Sequence, residues 1–150
     1  MEKTAKTAYI CGPLTDLPAD EQERVKATYV LLADLCEELL GVRAFVPHEH
    51  CDPIRHAELM PFEVDAIERR QVSESSCLIA VDFAPSWGGG IEVEIARNAK
   101  VPVILLIPEG RRSSRLLRGN PGIEVTVSNV TPRYFATALK QAFSRLNMIG

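Results

Sequence analysis

Two continuous apolar runs, Cys77-Leu78-Ile79-Ala80-Val81 and Val101-Pro102-Val103-Ile104-Leu105-Leu106-Ile107, most constrain how this chain folds. A strand apolar at every position must be covered on both faces, which points to a parallel sheet between helices rather than an antiparallel sheet with one wet face. Apolar runs at 7–11 and 43–46 and the alternating run at 123–127 supply three further strands. Helical periodicity fills the intervals. Val25, Tyr29, Leu32, Leu35, Cys36 and Leu39 recur at threes and fours over 18–40, with Gly41 as the stop. A second helix spans 61–75, a third runs from about Gly90 to Lys100, and a short one lies within 111–118, closed by Gly119. The last, over 132–146, has Thr131 as cap, Pro132 at its first position and an apolar stripe through Phe135, Leu139 and Phe143. This alternation predicts an α/β fold in a single domain, 1–150: a three-layer Rossmann-like or flavodoxin-like sandwich with a five-stranded parallel sheet.

Composition narrows the function. A hydrophobic fraction of 46% and a charged fraction of 25% are those of an ordinary globular protein. The net charge of -3 offers no basic footprint for a nucleic acid polymer. The four cysteines form no CxxC pair and read as reduced packing residues. No apolar run reaches the length of a membrane span and the N-terminal stretch has no signal-like core, so a cytoplasmic location is expected.

In a parallel α/β sheet ligands bind beyond the carboxyl ends of the strands, where strand order reverses. That rule gathers the loops after Cys11, Val46, Val81 and Ile107. The third loop carries Gly88, Gly89 and Gly90 and then Glu92. Consecutive glycines allow close approach to the backbone, and a helix starting at about Gly90 would put Glu92 in its first turn. There the dipole would favour an ionised carboxylate with a low pKa, suited to a nucleophile. The G-x-G-x-x-G and G-x-x-x-x-G-K spacings are both absent, which argues against NAD and ATP sites. His48, His50, Cys51 and Asp52 form a polar loop, but no second cluster completes a metal set, and no metal or organic cofactor is expected. Asp65 and Glu68 share a helix face; either could stand across the site from Glu92 as the second carboxylate of glycosidic chemistry, or pair with Arg69 or Arg70 on a solvated helix.

Three segments together resemble the nucleoside 2-deoxyribosyltransferase superfamily, which includes the nucleoside 5'-monophosphate N-glycosidases. They are Tyr9-Ile10-Cys11-Gly12-Pro13-Leu14, Ser75-Ser76-Cys77-Leu78-Ile79-Ala80, and Pro85-Ser86-x-Gly88-x-Gly90-x-Glu92-x-x-x-Ala96. The resemblance covers most of the chain. It implies that Glu92 is the nucleophile attacking the anomeric carbon and that Ser86 and Gly88 lie near the sugar or its 5'-phosphate, with Gly12 and Gly90 as further substrate-binding candidates. Glu68 stands where the family has an aspartate, with Asp65 as the alternative. Ser114-Arg115-Leu116-Leu117-Arg118-Gly119 is similar to the hydrolase segment that lends a serine to the neighbouring subunit's phosphate site, and His50 to a substrate-contacting histidine. A homodimer with a shared active site follows from this resemblance. The implied activity is hydrolysis of the N-glycosidic bond of a nucleoside 5'-monophosphate. The alternatives are base exchange, as in a nucleoside 2-deoxyribosyltransferase, and a non-catalytic nucleotide-binding module.

Overall fold

The computed structural model describes residues 4–150. The elements run β1 (Ala8–Cys11), α1 (Ala19–Leu40), α2 (Pro47–Cys51), α3 (Pro61–Glu74), β2 (Cys77–Val81), α4 (Trp87–Asn98), β3 (Val103–Pro108), α5 (Arg115–Arg118), β4 (Ile123–Val130) and α6 (Phe135–Arg145). A single 3-10 turn, Pro132–Tyr134, leads into α6. The strands pair in parallel in the order β1-β2-β3-β4.

Residue alternation along each strand splits the core into two layers. Ile10, Ile79, Val81, Ile104 and Leu106 pack with Leu32 and Cys36 of α1 and Leu139 and Phe143 of α6. Tyr9, Cys11, Leu78, Ala80 and Leu105 face the other way, onto Val72 of α3 and Val93 and Ala96 of α4. All five residues of β2 are buried, as a strand covered on both sides requires. The edge strand β4 instead alternates exposed and buried positions.

The sheet has four strands, not the expected five. The run 43–46 forms only an isolated parallel bridge, Tyr9 to Phe45. Phe45 donates its N–H to the Ala8 carbonyl at 2.9 Å, and its own carbonyl accepts the Ile10 N–H at 2.9 Å. The next residue in register is Pro47, which has no N–H to donate and instead opens α2. Pairing therefore stops after one residue. The bridge still places this segment on the far side of β1 from β2, so β1 is the point where the chain changes direction across the sheet.

Two other expectations shift. The polar stretch 48–53, read as a loop, largely folds as α2. The helix expected to begin near Gly90 starts three residues earlier, at Trp87, because Ser86 is its N-cap and its Oγ accepts the Gly89 N–H at 3.0 Å.

Candidate active site

At the carboxyl end of β1 the chain turns through Gly12 and Pro13. The Tyr29 hydroxyl of α1 donates to the Pro13 carbonyl at 2.6 Å and pins this turn. Gly12 is required here, since a Cβ would overlap the Tyr29 ring, with ring carbons at 2.7 and 2.8 Å. On the opposite side the Cys11 thiol donates to the Gly89 carbonyl at 3.6 Å, joining β1 to the first turn of α4. Gly89 is buried, and a Cβ on it would stand 3.2 Å from Ser86 Oγ.

These contacts frame a cleft of about 560 Å3 between the β1–α1 turn, α2, α3 and the start of α4. Glu92 and Glu68 both line it. Glu92 is the sixth residue of α4, past the first turn, and shares the helix's buried face with Gly89, Val93 and Ala96. It is only 8% exposed. The expected low pKa is therefore reversed: burial pushes the Glu92 carboxyl up to about 8, with Tyr9 opposing and Glu68 adding to the shift. Its Oε2 and the Tyr9 hydroxyl are both buried without a hydrogen-bond partner in good geometry. Its Oε1 lies towards Gly88, at 4.0 Å from where a Cβ on that glycine would be. Glycine at position 88 thus leaves the carboxylate open to the cleft.

Glu68 is half-buried, and its carboxyl is also raised, first by burial and then by Asp65. Asp65 itself is exposed and held by Arg69, whose Nε and Nη2 donate to it at 3.2 and 3.0 Å. Of the two candidate partners for Glu92, only Glu68 reaches the cleft.

The remaining expected site residues divide between two places. Gly12, Ser86 and Gly88 line the Glu92 cleft. Gly90 and Ser114 line an adjoining cleft of about 590 Å3, which shares Gly12, Pro13, Ser86 and Gly89 with the first. Ser114 is exposed and caps α5, its Oγ accepting the Leu117 N–H at 3.4 Å. His50 lines neither cleft; its ring stacks on Phe45 at 4.5 Å and 10°, and Phe45 stacks in turn on Tyr9.

His48, from the polar loop expected at the ligand edge, lines the Glu92 cleft together with His56, which the sequence did not single out. Burial pulls the His48 imidazole below its ordinary value, with Glu49 opposing, and its Nδ1 is buried without a partner. Asp82, next after β2, is buried in the adjoining cleft and takes a hydrogen bond from Arg111 Nη2 at 3.3 Å. The apolar run preceding Asp82 was the available signal, because a polar residue directly after a central strand emerges at the ligand edge. His56 gave none, since only the tertiary fold brings the 52–56 turn to the cleft.

Among the described residues no group of three His, Cys, Asp or Glu side chains is placed to hold a metal ion. Among the described residues no helix is long and apolar enough to cross a membrane.

No protein-family model matches the chain, and no curated protein sequence does. Solved structures do. The CMP N-glycosidase BcmB of Clostridium botulinum superposes with a TM-score of 0.62 at 18% identity, covering 91% of this chain and 99% of that one. BlsM superposes with a TM-score of 0.65 at 19% identity over 95% and 94% of the two chains. The chain shares the fold of these proteins. A 2-deoxyribosyltransferase from Bacillus psychrosaccharolyticus is a further match, with a TM-score of 0.58 at 17% identity over 81% and 85% of the chains. Two of these proteins are by name a CMP N-glycosidase and a 2-deoxyribosyltransferase.

Proposed function

We propose that the protein hydrolyses the N-glycosidic bond of a nucleoside 5'-monophosphate. The observation that carries this reading is the convergence of Glu92 and Glu68 on one cleft beyond β1, both with carboxyls raised by burial. Two such groups sharing a site do not ionise together, so one holds a proton while the other is a carboxylate. Glu92, the more strongly raised, holds the proton in the free site; in the proposed reaction that proton passes to Glu68, ionised Glu92 attacks the anomeric carbon as its bond to the base nitrogen breaks, and Glu68 gives the proton to the departing base. Water then attacks the same carbon, Glu68 takes up its proton, and the glutamyl ester opens. The sum is nucleotide plus water giving free base and (deoxy)ribose 5-phosphate, with retention at the anomeric carbon.

The phosphate seat is assigned to the start of α4. Ser86 Oγ accepts the Gly89 N–H, leaving its own proton to donate, and a helix start leaves the Trp87 and Gly88 N–H groups without intrahelical partners. Ser114 of a second copy is assigned to the same phosphate. Trp87 and Leu116, 88% and 87% exposed at the start of α4 and on α5, offer apolar surface to such a second copy.

The test is to incubate the protein with nucleosides and their 5'-monophosphates, with and without a free base, and chromatograph the products. Free base and sugar phosphate from the monophosphate alone are expected. A new nucleoside formed only when free base is added would assign base exchange instead. Ligand-induced thermal stabilisation without base release would assign a binding module.

A further inference from the structure

Residues 52–56 form a tight turn whose construction exceeds what a connector needs. Asp52 is 1% exposed, and its Oδ1 accepts the N–H groups of Ile54 at 2.8 Å and Arg55 at 3.1 Å. Its Oδ2 meets the Lys26 ammonium of α1 at 2.6 Å. Burial works against this charge, but Lys26 and the two N–H groups outweigh it and hold the carboxyl at about 2. A permanently ionised aspartate thus fastens the turn to α1.

The turn also fixes His56. The His56 N–H donates to the Asp52 carbonyl at 2.8 Å, and the Asp52 N–H donates to His56 Nδ1 at 3.1 Å. A ring nitrogen that accepts a backbone N–H is unprotonated, so the proton of the neutral imidazole resides on Nε2. With Nδ1 turned onto its own backbone, the opposite edge of the ring, bearing Nε2–H, is the part left to face the cleft that His56 lines. The same cleft is lined by Glu68 and Glu92, by the start of α4 at Ser86 to Gly89, and by His56 of the turn between α2 and α3. With the sugar assigned to Glu92 and the phosphate to the start of α4, the part of the cleft left for the base is the one lined by α2 and this turn.

We propose that His56 reads the nucleobase, its Nε2–H donating to a carbonyl oxygen or ring nitrogen on the base edge, with Asp52 and Lys26 as positioning residues that lock the donor tautomer. The inference rests on the glycosidase reading and adds to it the group that selects the leaving base. A donor that cannot become an acceptor without breaking the Asp52 N–H contact discriminates against bases that present only a donor at that position.

The test compares wild type with His56→Phe, which keeps a ring but has no donor, and His56→Gln, which restores an N–H near the Nε2 position. Each is assayed on the four common ribonucleoside 5'-monophosphates and on a trifluorophenyl ribose 5-phosphate, whose leaving group has no comparable hydrogen-bonding edge. His56→Phe should lose about tenfold in kcat/KM on the best nucleotide, mainly through KM, and should flatten the preference among bases. Its rate on the aryl substrate should stay within about twofold of wild type, and His56→Gln should recover part of the loss. An equal fall on nucleotide and aryl substrates would show a structural role, and an unchanged base preference would show no contact; either overturns the proposal while leaving the glycosidase reading intact. A wild-type protein that cleaves neither kind of substrate overturns both.

Discussion

Replacing Glu92 by Gln tests the site through stability before any substrate is known. In the unfolded chain this carboxyl releases its proton near its ordinary value of 4.5, whereas in the folded protein burial holds it at about 8. Between those values the native state keeps a proton that the unfolded state has lost, so raising the pH favours unfolding. From the two values, linkage costs the wild type about 3 kcal/mol at pH 7 but only about 1 kcal/mol at pH 5. Gln has no proton to lose, nearly the same shape, and an amide that can still meet the Tyr9 hydroxyl. The variant should therefore gain on the wild type by about 2 kcal/mol between pH 5 and pH 7, or about 1 M in urea midpoint. Urea unfolding of both proteins at half-unit steps from pH 5 to pH 8 reads this directly. Parallel midpoints across the range would refute a buried, proton-holding Glu92, and with it the electrostatic basis of the site.

Further outcomes follow from the same geometry. Base release by wild type should fall as the pH rises past about 8, where the one proton shared by the two carboxyls is lost, and a rate that keeps rising above that pH would contradict the one-proton site. Glu68→Gln should lower kcat on nucleotides about 100-fold while sparing the trifluorophenyl substrate, whose leaving group needs no proton; equal losses on both would remove Glu68 as the proton donor. Gly12→Ala should displace Tyr29 from the Pro13 carbonyl and destabilise the protein by about 1 to 3 kcal/mol in urea unfolding. Lys26→Met should cost about 3 kcal/mol at pH 7 by leaving Asp52 charged and buried. Because folding lowers the Asp52 pKa from 3.8 to about 2, its contribution in wild type is present above pH 4 and lost as the pH falls towards 2. The variant should lack that acid-limb dependence.

The strands were legible where burial left no ambiguity. Cys77–Val81 reads as a central strand because no face of it tolerates a polar side chain, and the structure gives the same bounds. The run at 43–46 reads as a strand through Ala44, Phe45 and Val46, yet a ladder needs the N–H of alternate residues, and Pro47 removes the next one. Pattern alone sees side chains; pairing depends on the backbone. The helix carrying Glu92 was misplaced for a related reason. Three glycines have poor helix propensity, so the start was assigned after them, whereas Ser86 and the packing of Gly89 under Cys11 impose helix through them. The correct register was present in the spacing of Gly89, Glu92, Val93 and Ala96, which marks one buried face and places the carboxylate on it. Glu68 could be separated from Asp65 only by the fold, since both stand on one helix and differ in which of them α4 covers.

The single bridge at Phe45 has a mechanical consequence. The wall of the cleft bearing Glu92 is tied into the sheet through β2 and the Cys11–Gly89 contact, while the wall bearing His48 leaves the sheet directly after one residue's pair of hydrogen bonds. Local opening follows the weakest pairing. The two walls are therefore unequal jaws: under the proposed function, the one tied into the sheet carries the nucleophile, while the other has its weakest tie to the sheet at Phe45, where yielding would leave the reacting carbon in place.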